Sequence, residues 1–242
     1  MTGLRVVIDC AHGAAYNTAP NTLHELGAEI VSMGVAPDGL NINEDCGATA
    51  PDAMAQTVRE ASAQIGIGLD GDADRLILSD ETGGIFNGDY ILAALALDMQ
   101  ANGLLHGPVV GTVMSNLGLE LLLAEKGIAF ERAAVGDRYV LERMKTTGSN
   151  LGGEPSGHIL LPHLTRSGDG LIAALQILGV MCRTGKTASE LLNQFVPVPQ
   201  KLVNLPDIDK SVLKEASIIQ TVAAVEAELG NNGRVILRPS GT

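Results

Sequence analysis

The chain of 242 residues carries 28 acidic against 16 basic side chains, for a formal net charge of −12. Such a surface repels nucleic acid and anionic membranes, so neither is expected as a partner. Apolar residues make up 45% but aromatic ones only 2%, with no Trp, so the core has to be built of Val, Ile, Leu and Ala, the material of buried parallel strands and the helices that cover them.

The elements expected in chain order alternate. A short β-branched strand at 4–9 breaks into "CAHGAAY", which reads as a strand-to-helix turn. A helix at 21–27 stops on Gly27, and a strand follows at 28–34. A helix at 51–62 leads to the strand "IGIGLD", and residues 75–86 read as a hairpin turning on "TGG". A helix at 89–103 ends on Gly103. A second round then begins at Pro108, with strand 108–114, helix 116–127, strand 128–135 and helix 137–148. "LHELGAEIV" and "LLAEKGIAFE" share the plan helix, glycine stop, strand, a repeat that suggests two similar α/β domains with right-handed crossovers. After a polar, Gly-rich stretch at 153–170 comes a helix at 171–185. The three prolines of 195–209 mark a linker, and a helix at 210–230 with a strand at 234–239 opens a third unit that stops at "PSGT".

No apolar run approaches the ~20 residues of a membrane span, and the start "MTGLRVVIDC" has no signal-peptide pattern. Cys10, Cys46 and Cys182 are odd in number and widely spaced, as expected of reduced thiols in a cytoplasmic protein.

Chemistry concentrates in four clusters. In "GLDGDADR", Asp70, Asp72 and Asp74 stand at alternate positions after an apolar strand. They can converge on one hard cation with oxygen ligands, Mg²⁺ being suited to about six. Arg75 adds a guanidinium fork suited to phosphate. A calcium EF-hand loop would use Asp70, Asp72, Asp74 and Glu81, but it needs a sharp turn at its sixth position, where Arg75 stands, and helices where strands are expected. "GGEPSGH" presents Glu154, Ser156 and His158 between glycines, a mix of donors and acceptors suited to sugar hydroxyls. "VGDRYV" places Asp137 and Arg138 at a helix start, where Asp137 can cap and Arg138 can meet an anion. "RPSGT" offers Arg238, Ser240 and Thr242 around Gly241 as a phosphate cradle.

In this order, "GLDGDADR", "VGDRYV", "GGEPSGH" and "RPSGT" resemble the α-D-phosphohexomutase superfamily. "VIDCAHGAAY", "NINEDCGAT", "VGTVMSNLGLE" and "VGDRYVLERM" are similar to its bacterial phosphoglucosamine mutase branch, and the resemblance spans almost the whole chain. It implies a four-domain protein around a deep cleft. Two similar mixed or parallel-sheet α/β domains are expected at 1–104 (the second domain, with the metal loop) and 105–197 (the third, with the sugar loop). The linker and the opening of an α+β fourth domain, with its phosphate loop, would occupy 198–242.

The resemblance implies an isomerase that interconverts glucosamine 6-phosphate and glucosamine 1-phosphate through a phosphoserine and a bisphosphorylated intermediate, on the way to UDP-N-acetylglucosamine and cell wall. By the same resemblance Asp70, Asp72 and Asp74 would hold Mg²⁺ against the phosphoserine while Arg75 steadies the transferring group. Glu154 and Ser156 would hold sugar hydroxyls, with His158 and Arg138 nearby. Arg238, Ser240, Gly241 and Thr242 would grip the phosphate that is not reacting. The Ser-His-Asn context of the phosphoserine is absent: His12 precedes Gly13, and Ser115-Asn116 lacks the intervening His. The first domain is therefore expected to be missing and the chain alone inactive. Pro155 stands where the branch usually has Asn or Gln, which leaves glucose and mannose phosphates as alternative substrates. A non-catalytic module that binds Mg²⁺ or sugar phosphate is the other alternative.

Overall fold

The computed structural model describes residues 1–204, 209–230 and 233–238. Residues 1–197 form one compact unit and 198–242 a second.

The first unit holds two sheets. In one, β1 (Arg5–Asp9) lies between parallel neighbours β2 (Glu29–Met33) and β3 (Ile65–Leu69). Antiparallel β4 (Leu76–Asp80) and β5 (Ile85–Phe86) follow outside β3 as the expected hairpin. In the other, β6 (Val109–Thr112) lies between β7 (Phe130–Ala133) and β8 (Gly152–Gly153), both parallel to it, with antiparallel β9 (Ile159–Leu160) outside β8. The orders β2-β1-β3-β4-β5 and β7-β6-β8-β9 show that β6 to β9 repeat the plan of β1 to β4. The repeat visible in the sequence is α1 (Thr18–Glu25) running into β2 and α4 (Leu117–Glu125) running into β7, with Gly27 and Gly127 at positive φ between them. The architecture is the mixed α/β fold expected.

Both sheets feed one core. Val6, Ile8, Ile65 and Ile67 of the first sheet belong to the same buried cluster as Val109 and Ile159 of the second. Helices α3 (Gly88–Ala101) and α6 (Gly170–Thr184) supply the rest. In α3 the buried residues Ile91, Leu92, Ala93, Ala94, Leu95 and Ala96 run right round the axis, the signature of a helix enclosed on all sides. It touches β5, β6 and β8 as well as α4 and α6. Each buried Leu or Ile contributes about 1.5–3 kcal/mol, so a helix shared by both sheets binds them strongly. The opposite faces are covered by α2 (Asp52–Glu60) over Val7 and by α5 (Asp137–Thr147) over Val110 and Leu160.

Two features go beyond the sequence reading. The Gly-rich stretch at 153–170 holds the end of β8 and all of β9, and a short helix α7 (Ala188–Leu192) follows α6. Glu81, the last ligand of an EF-hand, instead accepts hydrogen bonds from the Ser189 backbone N–H (3.1 Å) and hydroxyl, tying the β4–β5 hairpin to α7. Burial pushes the Glu81 pKa up, but these bonds outweigh it and hold the carboxyl below its usual range. Because the folded value is depressed, the contribution is present above the ordinary carboxylate range and lost as pH falls through the folded value. Glu81→Gln should therefore cost about 1 kcal/mol at neutral pH and much less in strong acid, as measured by urea unfolding at both.

In the second unit the expected single helix is divided. A 3₁₀ turn at Lys210–Lys214, capped by the Asp209 carboxylate, gives way at extended Glu215 to α8 (Ala216–Leu229). The strand expected at 234–239 is not formed in 233–238; among the described residues this unit has no other strand to pair with it. No helix among the described residues is long and apolar enough to cross a membrane.

Candidate active site

The aspartate loop joins β3 to β4 at the carboxyl end of β3, where α/β proteins bind ligands. Its chain reverses through Ala73, at φ 62°, whose N–H donates to the Asp70 carbonyl at 3.0 Å. One carboxylate oxygen from each of Asp70, Asp72 and Asp74 lies within 4.8 Å of the others. Asp70 is buried, Asp74 half-buried and Asp72 exposed. Burial first, then the neighbouring Asp74 and Asp72 charges, push the Asp70 pKa up; the Arg75 N–H and guanidinium oppose this. That N–H donates to Asp70 Oδ1 at 3.0 Å, and Arg75 Nε lies 3.6 Å from Asp70 Oδ2 and 3.8 Å from Asp74 Oδ1. Arg75 is thus the charge that holds the loop together, yet half its side chain stays exposed.

"CAHGAAY" is a turn, as read, with Ala11 and His12 both at positive φ. It also supports the site. Buried Asp9 accepts from Ala11 N–H at 3.0 Å and Gly47 N–H at 2.8 Å, and Ala14 N–H donates to the Gly71 carbonyl in the aspartate loop. An Asp closing a strand before a turn was the available signal for this brace, and sequence reasoning passed over it. At Cys10, beside it, burial and the Asp9 charge push the thiol up to about 12.

"EPSGH" joins β8 to β9 and so occupies in the second sheet the place of the aspartate loop in the first. The two loops touch. Arg75 and His158 form an antiparallel bridge, and Leu76 N–H donates to the Gly157 carbonyl at 3.0 Å. Gly157, at φ +95°, approaches so closely that a Cβ there would overlap the Leu76 carbonyl oxygen. The Pro155 carbonyl accepts from Gly88 N–H at 3.1 Å, a bond that needs nothing of the missing proline N–H.

The remaining expected residues divide. Glu154 accepts from the Gly136 N–H at 2.8 Å, which brings it to the first turn of α5 beside Arg138. There Gly136 is the cap; Asp137 is the first helical residue, and its carboxylate accepts the N–H of the next residue, Arg138. Ser156 and Arg138 are exposed. His158 is buried, with Nδ1 3.1 Å from Asp74 Oδ2. Asp70, Asp72 and Asp74 are therefore clustered, Arg75 pairs with Asp70 and Asp74, and His158 reaches Asp74, with Glu154 and Ser156 on the adjoining turn. Arg238 is an exposed residue of the second unit, while Ser240, Gly241 and Thr242 lie outside the described residues.

The chain matches three domain models of one family: phosphoglucomutase/phosphomannomutase domain II over residues 1–84, domain III over 87–198 and the C-terminal domain over 191–242. It is 54% identical over its full length to a phosphoglucosamine mutase of Caulobacter vibrioides and 51% identical to one of Rhizobium meliloti, covering 54% of each. The chain thus spans about half the length of the curated relatives it matches. Among solved structures, a phosphoglucomutase/phosphomannomutase family protein of Burkholderia thailandensis superposes with a TM-score of 0.70 at 26% identity, over 78% of this chain and 42% of that one. An N-acetylphosphoglucosamine mutase of Aspergillus fumigatus, in complex with GlcNAc-6P and magnesium, reaches 0.78 at 20% identity, over all of this chain and 60% of that one; at that identity the likeness is one of fold.

Proposed function

The chain belongs to the phosphoglucomutase/phosphomannomutase family, and from that premise we propose that it is the metal- and sugar-binding part of a phosphoglucosamine mutase, an intramolecular phosphotransferase that interconverts glucosamine 6-phosphate and glucosamine 1-phosphate. The observation that carries this reading is the direct hydrogen bonding between an acidic loop and a polar sugar-type loop at equivalent strand ends.

The donor set fits Mg²⁺. Three carboxylates converge, one of them Asp70 with its pKa raised by burial and like charge, and Asp74 Oδ1 is buried without a hydrogen-bond partner. Asp70, Asp72 and Asp74 would hold the ion. Bound there, Mg²⁺ neutralises phosphate charge, the chief requirement of phosphoryl transfer.

The chain's own groups do the rest. Arg75 is poised with half its side chain exposed to steady the transferring group. Glu154, held by Gly136 N–H, and exposed Ser156 grip sugar hydroxyls, while Arg138 attracts the phosphate. Arg238, with Ser240, Gly241 and Thr242, serves the phosphate that is not reacting. In this reading the phosphoryl group comes from a phosphoserine outside these 242 residues. It passes to the free sugar hydroxyl to give a bisphosphate, which turns over and returns its other phosphoryl group to the serine. Glucosamine is favoured over glucose and mannose because the relatives 50–54% identical to the chain bear that name.

Isothermal titration of the chain with glucosamine 6-phosphate, in the presence of Mg²⁺, tests the reading. Glu154→Ala should weaken binding about 10- to 100-fold, the worth of a hydrogen bond to a charged group. Unchanged affinity in the variant, or tighter binding of mannose 6-phosphate than of glucosamine 6-phosphate, would count against it.

A further inference from the structure

His158 belongs to the sugar-type loop, yet its side chain serves the other one. It is only 8% exposed, and its Nδ1 lies 3.1 Å from Asp74 Oδ2. A carboxylate can only accept, so the shared proton belongs to Nδ1. Nε2 is buried with no partner, and Gly168 packs so tightly against the ring that a Cβ there would overlap it. Among the described residues Asp74 is thus the one polar commitment of a locked imidazole. It uses one Asp74 oxygen and leaves the other, Oδ1, without a hydrogen bond. Backbone contacts fix the same relation from outside: the Arg75–His158 bridge, the Leu76–Gly157 bond, and Gly170 N–H donating to the Ala73 carbonyl at 2.8 Å.

We propose that His158 is a positioning residue for the metal loop, orienting the Asp74 carboxylate for a divalent cation and so making the sugar loop part of the metal site. Outer hydrogen bonds of this kind hold a ligating group in the rotamer the metal needs. This deepens the function proposed above and rests on its metal loop.

The test uses Mn²⁺ alone, titrated into the chain and followed by the electron paramagnetic resonance signal of the free ion. His158→Ala should bind Mn²⁺ about 10- to 100-fold more weakly than the unaltered chain. His158→Asn, whose Nδ2 puts a donor close to the place of Nδ1, should recover most of that loss. A circular dichroism spectrum identifies folded variants; should His158→Ala not fold, His158→Leu, which fills the space without a donor, replaces it. Equal affinity in the donor-free variant and the unaltered chain would overturn the inference while leaving the metal loop standing. So would an Asn variant no better than the donor-free one, the mark of a residue that merely fills space. Failure of the unaltered chain to bind Mn²⁺ even at millimolar ion would overturn the metal loop itself, and the inference with it.

Discussion

Asp70→Asn should act in opposite directions on folding and on metal binding. In the folded chain the Asp70 carboxyl is pushed up by burial and by the Asp74 and Asp72 charges. A carboxyl whose folded pKa lies above its unfolded one contributes stability that is fully present below the unfolded value and lost as pH rises through the folded value. At neutral pH the ionised Asp70 therefore costs the metal-free chain stability. Asn keeps an oxygen to accept the Arg75 N–H, now made to Oδ1 at 3.0 Å, and removes the charge. Thermal melting in EDTA should show the variant equal to or slightly more stable than the unaltered chain at neutral pH, the advantage fading as the pH drops into the carboxylate range. With Mn²⁺ the order reverses. Loss of one ligand charge should cost roughly 100-fold or more in affinity, so added ion should raise the melting temperature of the unaltered chain and leave the variant where it was. A variant destabilised in EDTA at neutral pH would show that like-charge repulsion is not what governs this loop.

Gly157→Ala should damage the site severely for a single added methyl. Two independent costs fall on it. The backbone is at φ +95°, outside the range an Ala adopts without strain. The new methyl would also overlap the Leu76 carbonyl oxygen, part of the backbone and unable to swing away. Strain of about 1–3 kcal/mol and overpacking of similar size together predict a loss of about 3 kcal/mol or more, read as a shift in the urea midpoint. Relief comes only by parting the loops, which breaks the Leu76–Gly157 bond and moves His158 from Asp74. Mn²⁺ affinity should fall with stability. Ala at Gly179, in the interior of α6, meets nothing within 4 Å; it should leave Mn²⁺ affinity unchanged and raise stability by up to about 1 kcal/mol.

The aspartate loop was legible because its signal is local: acidic residues at alternate positions beyond an apolar strand, with an arginine beside them. The alternation of α1, β2, α2 and β3 was legible for the same reason, each element being long enough to show its period. Strands β8 and β9 were not. Each has two residues, and Gly152 and Gly153 carry no side chains from which to read a period; they are strands because β6 and the reversal at "EPSGH" place partners beside them. The strand expected at 234–239 is the converse, a β-branched run without a neighbour among the described residues. The contact that His158 makes was hidden too. Spacing set it beside Glu154 and Ser156 as a third sugar contact, whereas its ring turns inward to an aspartate 84 positions earlier in the chain, a relation no local pattern carries. The all-round apolar character of α3 was on view in "YILAALALDM", but the sequence reading, which divided the chain into domains at 104/105, did not draw from it the one core that both sheets share.

The matching places of the two loops bear on how such a site could arise. One turn of the repeat, between its third and fourth strands, occurs twice in the chain, and in the fold the two copies lie against each other. A duplicated gene segment would begin with two identical turns facing across a shared seam, each free to change while the other preserved the backbone contact. On that history acidic residues would have gathered in one copy and a mixed polar set in the other, and their proximity, which a newly recruited loop would have had to acquire, would have been inherited.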